Sequence, residues 1–393
     1  MRGARTPERH EPSPTGGRSR GLLLRATTTP LASIFGSGFL IIVPVLERSL
    51  GPLAVLGAAL VCAVAWWAGT AVRHNVRHTE RQTCERRLDR TTHRIEETAD
   101  AIIVVAYVIS VALYLRIMAQ YVIGAFDDGG SPGLERLLAM AGVGVIVLVG
   151  VTRGFGGLDL LERVSLVAVL ALVVLLSVAI GIDDGHAFLT GALDLPPRPD
   201  ESLWQVLRVL GGTVITVQGF ETVRYLGDTY DADTRVVASR VAQVTATVVY
   251  VGFVLLATPL MGLGTPDGPD DTLIQVTDRV LPLLAVPLVV AAVLSQFSAA
   301  TADTAAAEGN LTSLVERVGQ RTAYLASGAV AVLLAATVPT FTIVAVASRA
   351  FALYYAMQAI VALRTCEGTA RKAGYAALAV LMLAITVLAV PAG

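Results

Sequence analysis

Long apolar runs, each near the roughly 20 residues that cross bilayer hydrocarbon, alternate with short polar connections along almost the whole chain. They predict spans at residues 30–47, 52–72, 100–125, 135–152, 160–181, 203–225, 240–263, 280–303, 322–339, 341–363 and 373–391. Two of these runs are interrupted. The first contains "SIFGSGFLIIVP", Ser33 to Pro44, with Gly36, Ser37 and Gly38 inside it. The sixth, "LWQVLRVLGGTVITVQGFETVRYLGD", carries Gly211, Gly212, Gly219 and the acid Glu221. Glycine weakens a helix interior by about 1 kcal/mol relative to alanine, and hydrocarbon offers no water to a broken backbone. Close packing of small residues is one explanation for the glycines. A backbone opened toward a solute is the other. Interruptions five helices apart favour the second, because they mark inverted repeats with a binding site at the midplane.

The expected fold is thus an all-α polytopic membrane protein, a five-plus-five inverted repeat with helices one and six broken and about eleven spans. Residues 28–182 form the first repeat, 183–365 the second, and 366–393 an additional span. Residues 1–27, rich in Arg, Pro and Ser, read as a disordered tail rather than a signal peptide.

Composition agrees with that picture. Of 393 residues, 54% are hydrophobic and 16% charged, against about 25% charge in soluble domains, and the mean hydropathy is +0.66. Arginine gathers in the tail, in the connection "RHNVRHTERQTCERRLDRTTHRIEET" and at every second loop thereafter, whereas the alternate loops are acidic. The positive-inside rule then puts the N-terminus in the cytoplasm and, after eleven spans, the C-terminus outside, in a multi-pass protein of the cell membrane. Cys62, Cys84 and Cys366 imply no disulfide framework. All five histidines fall outside the spans, and neither HExxH nor a nucleotide-binding loop occurs, so no enzyme activity, cofactor or nucleic-acid partner is expected. His74, His78, Cys84 and His93 share one loop but lack a tight ligand pattern, which reads as a solvated basic face.

The interrupted segments resemble the amino acid–polyamine–organocation (APC) transporters. That family's Gly-Ser-Gly in span one has its counterpart in Gly36, Ser37, Gly38 and Phe39. Its Gly-Phe-Glu in span six, before an acidic loop, has its counterpart in Gly219, Phe220 and Glu221, followed by Asp228, Asp231 and Asp233. "RGFGGLDLLERVSLVAVL", leading into span five, is similar too. Val217 stands where the family often has an aromatic, the loop "GDTYDADTR" lacks Asn-Pro, and span five has no lysine.

The resemblance implies a secondary active transporter for an amino acid or related small amino/carboxylate solute, working by alternating access in the lipid bilayer and coupled to H+ or Na+, or exchanging. Substrate would meet Ser33, Gly36, Ser37, Gly38, Gln218, Gly219 and Phe220. Glu221 would be the coupling group, since an acid at a broken helix is functional by default. Ser298 and Thr301, three apart on one helix face, would hold sodium. Read from the residues themselves, Arg116 and Arg349 either snorkel to the outer headgroups or line an outer vestibule or gate, Arg208 snorkels, and Asp303 serves as a gate or loop contact near the inner end. An inorganic-cation transporter of the same fold, and a membrane sensor docking through residues 73–97, are the rival readings.

Overall fold

The computed structural model describes residues 16–85, 87–126, 131–154, 159–193, 195–261, 272–315 and 317–391. Every expected span contains a helix: α1 (Gly16–Leu50), α2 (Ala54–His74), α3 (Arg90–Gly124), α4 (Pro132–Arg153), α5 (Asp159–Thr190) and α6 (Leu203–Gly211). They are followed by α7 (Ala232–Ala257), α8 (Ala285–Leu314), α9 (Gln320–Thr337), α10 (Thr340–Thr365) and α11 (Thr369–Leu388). Helix starts follow local chemistry. Asp89, Ser202 and Asp231 cap α3, α6 and α7 by accepting from backbone N–H groups that have no intrahelical partner.

The helices form layers around α3, whose most apolar window is 83% buried, against 17% for α11. α3 packs chiefly on α8 and α10, α1 on α7 and α5, and α11 lies at the edge against α10. Alternation of direction brings the arginine-bearing loops to one end. There the arginines engage acids of this same chain: Arg235 with Glu80 (2.7 Å), Arg364 with Asp89 (2.8 Å), and Arg77 with Asp233. Arg81 and Arg87 both pair with Glu85. Much of the loop read as a docking surface is therefore tied into the fold.

Two expectations need correction. The helix of the first span begins at Gly16, so residues 16–27 are helical rather than a disordered tail; residues 1–15 lie outside the described residues. More consequentially, α1 runs as continuous α-helix through Gly36 and Gly38. The break expected there is absent, and close packing explains the glycines. A Cβ on Gly38 would overlap the backbone carbonyl of Thr216, and one on Gly36 would stand 2.9 Å from the Ala299 Cβ. Two glycines cost a helix only about 2 kcal/mol, which close contact offsets without unwinding. Pro44 cannot donate to the carbonyl of Leu40, and the Tyr121 hydroxyl donates to that oxygen instead (3.1 Å).

Candidate functional site

The sixth span is broken as expected. After Gly211 the chain turns, forms a 3₁₀ segment over Val214–Val217, crosses Gln218 and Gly219, and resumes as 3₁₀ helix over Phe220–Leu226. Gly219 has φ +121°, and a Cβ there would lie 2.6 Å from the Ile34 nitrogen. Only glycine satisfies both constraints. The exposed carbonyls find hydroxyl donors: Thr213 donates to Leu210 (2.8 Å), Thr216 to Thr213 (2.8 Å), Ser348 to Gly212 (2.7 Å) and Thr222 to Gly219 (2.7 Å). These bonds replace the missing α-helical ladder in a water-poor interior.

Glu221 sits just past the break and is fully buried. Its Oε2 accepts from the Tyr355 hydroxyl and from the Gly219 N–H, both at 2.9 Å. Asp303 on α8 is also buried, 3% exposed, and borders the same cavity as Thr222, Tyr225 and Leu226, which follow Glu221 in the broken span. The Tyr114 hydroxyl of α3 accepts from Gln218 Nε2 (2.7 Å), tying α3 to the break beside Glu221. Glu221 Oε1 and Asp303 Oδ2 are buried with no hydrogen-bond partner among the described residues. No described ion pair reaches either acid. Arg224, one turn from Glu221, is held by Glu96, by Asp100 (3.8 Å) and by the Tyr354 hydroxyl (3.2 Å). Both acids are thus buried without a described counter-charge, an arrangement that favours binding a cation or a proton.

Aromatic rings gather beside Glu221. Phe220 stacks on Tyr355 at 5.1 Å between centroids, and Tyr355 in turn meets Tyr354 and Phe351. A cavity of about 540 Å³ runs from Asp303, Ser33 and Ser298 to Thr29 and Asn310 at the arginine-rich end. Toward the other end the helices are joined. Tyr121 of α3 holds the Leu40 carbonyl, Ser348 of α10 holds the break, and the Arg48 guanidinium lies 4.7 Å over the Phe341 ring.

The remaining sequence candidates take varied places. Ser33 and Ser298 line the cavity, while the Thr301 hydroxyl donates to its own helix at Phe297 (2.6 Å). The Gly36 carbonyl accepts from Gln296 Nε2 (2.6 Å). The side chain of Ser37 lies outside the described residues. Arg116 is buried, with its Nη2 3.5 Å from the Thr340 hydroxyl. Arg349 donates through Nε to the Ala389 carbonyl (3.0 Å), and Arg208 does the same to Leu388 (3.0 Å). Both thus cap the carbonyl end of α11, where cations are favoured. Asp303 lies within α8 and lines the cavity with Ser298. Sequence reasoning did not find Gln296, Tyr114 or Tyr355; each is a polar residue inside an apolar span, which is the signal available for them.

Residues 18–389 match the family described as "APC superfamily transporter". A protein of Aquifex aeolicus with no assigned function is 34% identical over 356 residues, covering 87% of this chain and 84% of that one. Among solved structures, the Eremococcus coleocola manganese transporter, crystallised with an aromatic bis-isothiourea compound, is similar with a TM-score of 0.58. It is 12% identical, with 96% of this chain and 88% of that one covered. Mhp1, a nucleobase-cation-symport-1 family transporter in a closed conformation with bromovinylhydantoin bound, is similar with a TM-score of 0.59. There the identity is 13%, with coverage of 92% and 88%. Likeness at this level shows the fold: five-plus-five inverted repeats.

Proposed function

Because the chain belongs to the APC superfamily of transporters, we propose that it carries a small amine-bearing organic cation, bound between Glu221 and Asp303, together with a proton. The observation that carries this reading is the buried carboxylate pair, each acid with one oxygen lacking a partner. Charge arithmetic supports symport. Two ionised carboxylates are neutralised by one monocation and one proton, so the loaded site is uncharged and crosses the low-dielectric interior most easily.

The tyrosine and phenylalanine rings favour an organic ammonium, which cation–π attraction stabilises, over a metal ion. Among the described residues no group of three His, Cys, Asp or Glu side chains could hold a metal. The carboxylate of a zwitterionic amino acid has weaker support, because the α1 amides near Gly36 lie within a continuous helix. The cavity at the arginine-rich end corresponds, by the positive-inside rule, to an inward-facing state closed on the outside.

The test is amine-driven proton movement in proteoliposomes with a pH dye trapped inside. A panel of labelled amines should drive acidification of the lumen, and Glu221→Gln and Asp303→Asn should each abolish it. Uptake that requires sodium and survives Glu221→Gln, or transport of manganese with no amine transported, refutes the reading.

A further inference from the structure

On the lipid-facing side of α6, lined by none of the residues of the cavity at Asp303, α2, α6 and α11 enclose a groove of about 500 Å³. Its walls include Val64 and Trp67 on α2, Trp204 and Leu207 on α6, and Ile385 on α11. Trp204 is 56% and Leu207 45% exposed on the bare protein, so the groove faces the bilayer. One arginine, Arg208, borders it. Its Nε is spent on the Leu388 carbonyl, and among the described residues no other hydrogen bond or ion pair engages the guanidinium.

We propose that this groove holds one acyl chain of an anionic phospholipid, with the lipid phosphate resting on the two terminal nitrogens of Arg208. Three observations select that occupant. The groove is apolar and opens onto hydrocarbon, which is the environment of an acyl chain. A guanidinium already oriented by its Nε presents a planar pair of donors that matches a phosphate. Trp204 lies one turn nearer the start of α6, where indole rings settle at headgroup depth.

The site also touches the break in the sixth span. Leu210, Gly211 and Val214, at the start of the α6 break, form its floor. A Cβ added to Gly211 would meet Ile385 and Ala389 at 3.5 Å, and the Val390 N–H donates to the Arg208 carbonyl (3.1 Å). A bound lipid therefore braces the joint between α11 and the upper half of α6.

The chain has three tryptophans, Trp66, Trp67 and Trp204, and two of them line the groove. The full chain is placed in nanodiscs of phosphatidylcholine doped with brominated-chain phosphatidylglycerol or brominated-chain phosphatidylcholine, and tryptophan quenching is titrated. Brominated phosphatidylglycerol should quench at about fivefold lower mole fraction, the preference one arginine gives near a membrane surface. Arg208→Gln should erase the preference and Arg208→Lys retain part of it. Ala384→Phe, which fills the groove, should weaken quenching by both lipids. Equal quenching by the two lipids in the parent protein overturns the proposal, as does an undiminished preference in Arg208→Gln. Should Arg208→Gln not fold, unlabelled phosphatidylglycerol must relieve the quenching in the parent protein, and failure to do so is equally decisive. Tryptophans shielded from both lipids in a nanodisc of dimer mass assign the groove to a second copy of the chain, which also overturns it.

Discussion

Gly219→Ala tests whether the α6 break is built on one residue. Alanine meets two separate obstacles there. At φ +121° an L side chain is strained, at a cost of about 1–3 kcal/mol. The new Cβ would also lie 2.6 Å from the Ile34 nitrogen and 2.8 Å from the Ser33 carbonyl carbon. Both are backbone atoms of α1 that cannot rotate aside, and such overpacking costs a further 1–3 kcal/mol or so. Together the loss is about 2–6 kcal/mol, concentrated where α1 meets the break. Gly252→Ala is the matched control. It lies in the interior of α7 with nothing within 4 Å of its added Cβ, so it should be neutral or stabilise by up to about 1 kcal/mol. Thermal unfolding in detergent, followed through the reactivity of the buried thiols Cys62 and Cys366, reads both variants, and uptake assays on the surviving protein read the site. A Gly219→Ala protein as stable and active as Gly252→Ala would refute the account of the break.

Arg224→Gln removes the cation shared by Glu96 and Asp100. Breaking a buried pair this way costs about 3–5 kcal/mol, and Arg224→Gln/Glu96→Gln should recover much of the loss in the same unfolding assay. At the start of α3, hydrogen bonds from the Thr92 side chain and backbone, with the Arg364 guanidinium beside it, hold the Asp89 carboxyl down at about 2, below its ordinary 3.8. Because the folded value is the lower one, the contribution is complete above about pH 4 and disappears as pH falls toward 2. The stability difference between the parent protein and Asp89→Ala should be flat above pH 4 and shrink below it; a gap unchanged at pH 2 contradicts this origin.

The spans were legible because apolar length is a property of the linear chain, and Gly219-Phe220-Glu221 was legible because an acid beside a glycine inside an apolar run has few other uses. The Gly36–Gly38 segment misled for a physical reason. Glycine serves an unwound backbone and a close helix contact equally well, and which one holds depends on what stands opposite, here Thr216 and Ala299. Asp303 was undervalued because it lies in the small, polar stretch "TADTAAAEGN", which resembles a helix end. In fact α8 continues to Leu314. Glu221 is 82 positions away, and the two acids come into one region only through α3, which packs on α8 and whose Tyr114 hydroxyl accepts from Gln218 in the break.

The 3₁₀ geometry of Phe220–Leu226 makes the lower half of the sixth span a short, stiff lever with its fulcrum at Gly219. Seven residues at about 2.0 Å each give an arm of roughly 14 Å. A turn of about 15° at the fulcrum, a common size for rigid-body transitions, swings the tip at Leu226 through roughly 4 Å. The near end at Glu221, two residues from the fulcrum, moves by less than a third of that. Arg224 grips the arm more than halfway along, so its bonds to α3 and α10 act with large mechanical advantage on the tip and little on the acid. A passage at the arginine-rich end can thus widen or narrow while the carboxylates keep their spacing.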